Sequence, residues 1–241
     1  MKIPRMSMIT LGVTDLDKAT TFCEPVLATP PQKKVAAPKV TSDGEPRCFW
    51  ATGVPDYYEK YHDEEWGVPC FDEHKMFEML ILEGAQAGLS WQTVLAKREN
   101  YRKAFDGFNV EKIAKYSEEK VQKLLLDAGI IRNQLKIRAT ISNAQALQAL
   151  RETAARPELA LTDFFWKYVG GKPKQNALRR REDIKATTPE SDALSKALLR
   201  AGFKFVGSTI VYAHMQACGM VNDHLTTCFR YEAVRDMGMK L

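Results

Sequence analysis

The chain has 241 residues, 45% hydrophobic and 27% charged, enough to bury a sizeable core and ordinary for a globular protein. No stretch approaches the ~18 apolar residues of a membrane span. The start lacks a basic region followed by a long apolar one, so the sequence reading places the chain in the cytoplasm with no membrane partner. A net charge of +5 permits a polyanionic partner without requiring one, and cysteines at 23, 48, 70, 218 and 228 fit metal ligation or burial better than a disulfide framework.

Residues 1–46 differ from the rest. Met8–Val13 reads as a strand and Asp15–Cys23 as a capped helix start, followed by a Pro-, Lys- and Ala-rich linker from Ala28 to Pro46. The opening looks like the first strand and helix of a glyoxalase-like fold. Only about twenty residues of it are present, and a lone strand cannot satisfy its own edges. Two readings stand: a mobile terminal tail, or a fusion remnant or mis-assigned start without activity of its own.

From Asp72 the pattern turns helical. Met76, Phe77, Leu80, Ile81 and Gly84 recur at three and four residues, one apolar face of a helix. Ser90 is a cap candidate for a helix running to Phe105. Two short helices are expected over Asn109–Tyr116 and Ser117–Ala128, with Gly129 as a C-cap. One long helix is expected from Arg132 to Ala155, and a short aromatic one over Leu161–Val169. A polar loop from Gly170 to Pro189 carries Arg179, Arg180 and Arg181. Ser191–Arg200 and Ser208–Met220 close the series, the latter read as the last strong helix. No strand is expected after the first segment, so the body reads as all-α.

Three groups of residues carry chemistry. Cys48 and His62 lie fourteen apart near the start of the body, and His224 and Cys228 lie four apart near its end. If the latter segment is helical, its sulfur and imidazole share a face. Two Cys and two His close a tetrahedral zinc shell without a position for water, which makes such a metal structural; other pairings, and cysteines buried as small hydrophobes, fit the spacing too. His74 and His214 read as surface or core residues, and Cys70 and Cys218 as packing.

Second, Phe49, Trp50, Tyr57, Tyr58, Tyr61, Trp66 and Trp91 are denser than a helical core needs, and can wall a slot for a flat ring, the more so for a cationic one. Glu83, at the end of an apolar helical face, is either an exposed terminal carboxylate or an acceptor for a purine amine or a cationic ring. Third, Leu124–Asn133 reads as helix, tight turn, helix. Such a turn, around Gly129, Ile130 and Arg132, can hold a phosphate without reading sequence. Gly88 and Leu89 form an inter-helix loop whose apolar tip can wedge into a base stack. Either an enzyme acting on a nucleobase or a metal-stapled DNA-binding module fits these groups.

Taken together these segments resemble the DNA-3-methyladenine glycosylase I family. The similarity rests on Arg47-Cys48-x-Trp50, Tyr61-His62-Asp63-x-Glu65-Trp66-Gly67-Val68-Pro69, Leu82-Glu83-Gly84-x-Gln86-Ala87-Gly88-Leu89-Ser90-Trp91, Asp127–Arg132, Phe203–Gly207 and Gln216-Ala217-Cys218-Gly219-x-Val221-Asn222-Asp223-His224 with Cys228. It covers about Arg47 to Cys228. The resemblance implies a two-lobed, all-α helix-hairpin-helix glycosylase domain over 47–235, with 1–46 as an extension and 236–241 as a tail. It implies a hydrolase that removes 3-methyladenine from double-stranded DNA and releases the free base; a monomer is the default expectation, and the lack of a dedicated lysine nucleophile in the sequence predicts no strand cleavage. It places one structural zinc (Zn2+) on Cys48, His62, His224 and Cys228. The base pocket falls on Trp50, Tyr58, Tyr61, Trp66, Glu83 and Trp91, with Glu83 and Tyr61 nearest the chemistry. DNA contact falls on Gly88, Leu89, Gly129, Ile130 and Arg132. The hairpin departs from the usual pattern at Ile131 and again at Asn133-Gln134-Leu135, where glycines are common.

Overall fold

The structure, a computed structural model, describes residues 44–240. The strand and helix expected within residues 8–23 lie outside those residues, as does nearly all of the linker. After a 3-10 turn at Phe49–Ala51, the chain forms α1 (Asp56–Glu64), α2 (Glu73–Gln86), α3 (Trp91–Leu95), α4 (Arg98–Ala104), α5 (Val110–Ile113), α6 (Glu118–Leu126), α7 (Gln134–Thr153) and α8 (Ala160–Trp166). Strand β1 (Lys174–Gln175), α9 (Pro189–Arg200), α10 (Ser208–Ala217), β2 (Val221–Asn222) and α11 (Arg230–Met239) complete it. None of the helices is long and apolar enough to cross a membrane.

Side-chain caps set most of the helix starts. Asp72, Ser90, Asn109, Ser117 and Asn133 each accept from the backbone N–H three residues on, opening α2, α3, α5, α6 and α7, and so satisfy donors that a helix start leaves orphaned. Thr188 and Ser191 form a reciprocal box at the start of α9, with Pro189 in its first turn.

Helix α2 is the axis of the fold. Twelve of its fourteen residues are buried, so it is enclosed all round rather than along the single face its periodicity suggests. It packs against α3, α7, α8 and α10. Its three buried glutamates, Glu73, Glu78 and Glu83, therefore need partners inside the protein. Glu73 accepts from the Leu161 and Thr162 amides at 3.0 and 2.9 Å, anchoring the start of α8. Glu78 is clamped by Arg98 and Arg102, the latter at 2.8 Å. Glu83 has a different fate, described below.

Five sequence expectations need correction. The helix from Ser90 to Phe105 is two, because Lys97 (φ −101°, ψ 2°) leaves helical geometry and ends the first. Gly129 is not a left-handed cap: α6 ends at Leu126 with Asp127 as its cap, and Gly129 is small because a Cβ there would lie 2.9 Å from the Asp127 carboxylate and 3.2 Å from Asn100. The polar loop contains a strand, since Lys174 and Gln175 pair in parallel with Val221 and Asn222. His224–Cys228 is a turn rather than a helix. Finally, α11 continues through Met239, where only a tail was expected.

The strand pair belongs to a wider junction of the chain's two ends. Gly67 N–H donates to Gln216 O at 3.1 Å, and Cys70 N–H to Cys218 O at 3.0 Å. Between them Gly219 (φ +66°) leaves no room for a side chain: a Cβ would lie 2.4 Å from Pro69 N and Val68 C. Gly219→Ala combines a left-handed backbone with a clash against main chain, so it should destabilise the protein by about 3 kcal/mol or more. Urea unfolding of the variant checks this; an unchanged midpoint would mean that the two segments are not held this close.

Candidate active site and metal centre

Cys48, His62, His224 and Cys228 come together from both ends of the described chain, all four buried, their ligand atoms within 4.8 Å of one another. Cys228 Sγ lies 3.5 Å from His62 Nε2 and 3.5 Å from His224 Nδ1, and Cys48 Sγ lies 3.7 Å from His224 Nδ1. A tetrahedral zinc, with sulfur at ~2.3 Å and nitrogen at ~2.0 Å, requires S···N edges of about 3.5 Å. The outward ring nitrogens are committed in the matching sense. His62 Nδ1 is 2.7 Å from Asp63 Oδ1 and His224 Nε2 is 3.0 Å from Trp66 O. Each imidazole thus donates outward and turns a lone pair inward, the outer-shell arrangement that orients metal-ligating histidines. Arg47 holds Asp63 in turn at 2.7–3.0 Å. Burial pushes the Cys48 thiol up, while hydrogen bonding from Cys48 and then from the two histidines pulls Cys228 well down. The residues fit a metal of the zinc type.

A pocket adjoins this cluster, lined by Trp50, Tyr58, Tyr61, Trp66, Glu83, Trp91, Ile184, Ala213, Gln216 and Asp223. All six base-pocket residues expected from the sequence are here. Trp50 meets Tyr58 and Trp66 edge-on, with ring centroids 5.7 and 4.9 Å apart, and Tyr61 lies 5.5 Å from Trp91. The metal-type ligands buttress these rings: Trp66 packs 4.7 Å from His224, and Trp50 5.0 Å from His62. Tyr61 and His62, and likewise Asp223 and His224, are sequence neighbours that serve the pocket and the cluster respectively.

Glu83 reaches the pocket from the last turn of α2. Unlike Glu73 and Glu78 it has no cationic or backbone clamp: its Oε2 is buried without a hydrogen-bond partner among the described residues. So are Tyr61 Oη and Trp91 Nε1, which line the same pocket. With nothing to offset its desolvation, the Glu83 carboxyl is pushed up to about 8, and burial with the nearby Glu83 raises Tyr61 far above an ordinary phenol. Three unanswered polar atoms ringed by aromatic faces need a guest that supplies donors and an acceptor, and the carboxylate favours a cationic one.

Four pocket residues escaped the sequence reading as pocket members. Ala213, Gln216 and Asp223 come from α10 and the segment after β2, and Ile184 from the polar loop. Asp223 accepts from Tyr212 Oη at 2.7 Å, Gln216 Nε2 at 2.8 Å and Asn176 Nδ2 at 2.6 Å. Its charge is thereby answered within the protein, which distinguishes it from Glu83. Ile184 is the apolar residue of an otherwise charged stretch, the one local sign that this loop faces a cavity. The same loop packs on the 3-10 turn before α1 through Arg181, whose guanidinium sits 4.8 Å over the Phe49 ring.

Gly88 (φ +79°) and Leu89 form the turn between α2 and α3. Leu89 N–H donates to Gln86 O at 2.7 Å, and Gln86 Nε2 returns to Leu89 O at 2.7 Å, so the loop is locked. In the α6–α7 turn, Arg132 is exposed but the Ile130 side chain is buried. Gly129 N–H is taken by the Asp127 carboxylate at 2.7 Å and Ile131 N–H by Tyr101 Oη at 3.2 Å.

Comparison with known proteins follows the same lines. The family model for methyladenine glycosylase matches residues 50–231. A DNA-3-methyladenine glycosylase 1 of Escherichia coli (strain K12) is 50% identical over 185 residues, covering 77% of this chain and 96% of the relative. A crystal structure of a 3-methyladenine DNA glycosylase I superposes with a TM-score of 0.72 at 52% identity, covering 76% of this chain and 98% of the other. Another, a tyrosine-to-phenylalanine variant in complex with 3-methyladenine, has a TM-score of 0.72 at 32% identity over 77% of this chain and 97% of its own. The chain belongs to the DNA-3-methyladenine glycosylase I family.

Proposed function

We propose that the protein excises 3-methyladenine from alkylated duplex DNA, hydrolysing the N-glycosidic bond and leaving an abasic site. The observation that carries this reading is the convergence of Tyr61 Oη, Glu83 Oε2 and Trp91 Nε1, all buried and unpartnered among the described residues, on one aromatic pocket. Methylation at N3 makes the base cationic, so Glu83 supplies both the countercharge and an acceptor for the exocyclic amine. Tyr61 completes the polar contacts, and Trp50, Tyr58, Trp66 and Trp91 enclose the ring.

The duplex is held by its backbone at a helix-hairpin-helix formed by α6 and α7, with the exposed Arg132 as its phosphate contact; the Gly129 and Ile131 amides, engaged within the protein, and the buried Ile130 shape the turn. Gly88 and Leu89 enter the stack as the damaged nucleotide leaves it, at a cost of a few kcal/mol. A leaving group that is already positive needs little general-acid help. Its departure leaves an oxocarbenium-like sugar that water captures. Glu83 therefore acts through recognition and charge. A zinc on Cys48, His62, His224 and Cys228 is structural: four protein ligands leave no position for water. The enzyme is a cytoplasmic monomer whose two-lobed domain runs from residue 47 through the end of α11 at Met239.

Among the described residues no lysine lines the pocket, which supports a glycosylase without lyase activity. Duplex carrying 3-methyladenine should, after treatment, remain an intact strand that alkali then cuts at the lesion. A break without alkali, or a covalent enzyme–DNA adduct trapped by borohydride, would contradict this.

A further inference from the structure

Two lysines outside the pocket tie the elements assigned to DNA. Lys136 lies in the first turn of α7, where Asn133 caps its backbone N–H at 3.1 Å. Its side chain crosses to the other element: Nζ donates to Ala85 O and to Ala87 O, each at 2.7 Å. Those carbonyls belong to the last turn of α2 and the loop after it, between Glu83 and Leu89. A helix end leaves its final carbonyls unsatisfied, and a cation there also meets the negative end of the helix dipole. Lys136 is half-buried and has no carboxylate within salt-bridge distance among the described residues, so the carbonyls are its partners.

Lys97 makes the reciprocal link. It sits at the α3–α4 break, one short helix beyond the wedge loop, and its Nζ donates to Ala128 O at 2.8 Å and Gly129 O at 3.4 Å, at the tip of the hairpin. Each side of the pair thus reaches the backbone of the other, one lysine from hairpin to loop and one from loop side to hairpin. A flexible stem is well suited to this, since an ammonium can satisfy two carbonyls at once.

We propose that Lys136, with Lys97 as its counterpart, is a positioning residue that couples the hairpin's grip on the backbone to insertion of Leu89. The inference rests on the reading of those two elements given above. By fixing the end of α2, Lys136 makes the loop stand at a set distance from the hairpin. A duplex held by the hairpin is thereby presented to Leu89 and the pocket in one register. Without the brace, grip and base recognition each persist, but the nucleotide is extruded less often.

The test compares K136M, K136R, K97M and Leu89→Ala in single-turnover excision from two duplexes, one with the lesion opposite thymine and one opposite an abasic site, where extrusion is easier. Binding of free 3-methyladenine is read from tryptophan fluorescence. K136M should slow excision from the paired duplex about 10- to 100-fold and from the abasic-opposed one by less than half that factor, with free-base affinity within about twofold. K136R should recover part of the loss, and K97M should show the same order of substrates with a smaller effect. K136M at the wild-type rate beside a slow Leu89→Ala would overturn the brace and leave the wedge standing. Both at the wild-type rate would overturn the wedge and the brace with it. Equal loss on both duplexes together with weakened free-base binding would also overturn it, since that is what general distortion produces. If K136M does not fold, the K97M substrate pattern decides alone.

Discussion

Replacing Glu83 by glutamine should slow excision by about 100-fold, roughly 3 kcal/mol, the scale of a charge-assisted hydrogen bond lost from a buried site. It should at the same time make the free protein more stable at pH 8. The two effects share one cause. Glu83 is buried without a clamp, and its carboxyl is held up at about 8, against ~4.3 in an unfolded chain. Between those values the native state holds a proton that the unfolded state has released. This contribution to stability is therefore complete below the unfolded value and is lost as pH rises through about 8. Wild type should lose up to ~1.4 kcal/mol per pH unit from this group over that window, and Glu83→Gln should remove that slope. Urea midpoints of both proteins at pH 5 and pH 8 check the stability arm. A cationic guest reverses the balance by favouring the ionised form, so binding should release a proton and tighten as pH rises toward 8. An unchanged excision rate in the variant would make Glu83 a bystander, and an unchanged pH slope would mean that its charge is answered in solution by a group the structure does not place there.

Loss of the metal should unfold the part of the molecule that forms the pocket. Cys228→Ser, or chelation during unfolding and refolding, should leave a chain that melts about 10–15 °C lower, because a structural zinc contributes several kcal/mol or more to folding and each kcal/mol moves a domain of this size by ~2–4 °C. Base binding should fail with it. His62 and His224, two members of the Cys/His cluster, support Trp50 and Trp66 at ring distances of 5.0 and 4.7 Å, and Cys48 lies two residues before Trp50. Metal analysis of the purified protein beside its melting curve checks both points. A sample with less than a tenth of an equivalent of zinc that melts at the wild-type temperature would exclude a structural role.

Much of this was legible in the sequence, for identifiable reasons. Caps and apolar spacing are local, so Asp72, Ser90, Asn109 and Ser117 open helices where the sequence placed their starts, whereas α7, expected from Arg132, begins after its cap Asn133. The pocket aromatics stood out by their density: of the seven singled out in the sequence, five line the pocket, while Phe49 stands outside it and Tyr57 is exposed. The grouping of Cys48, His62, His224 and Cys228 needed the family resemblance, since spacing alone left several pairings open. What escaped depends on segments that meet only in the fold. A two-residue strand carries no periodicity, so β1 and β2 left no trace. The α11 helix has only Val234 and Gly238 fully buried and so shows little pattern. Gly129 has its reason in Asn100 and Asp127, not in a backbone angle. Glu83 and Asp223 could not be told apart as carboxylates; only the structure shows that Asp223 has three donors and Glu83 no clamp.

The measurement that tests the account most directly is incubation of the metal-loaded protein with methylated duplex DNA, followed by chromatography of the released bases. The account predicts that 3-methyladenine appears and that 7-methylguanine, which is cationic too, stays in the DNA, because Glu83 accepts from the exocyclic amine of adenine where guanine presents a carbonyl oxygen. No released base from a folded, metal-loaded sample, or release of both bases at similar rates, would contradict it.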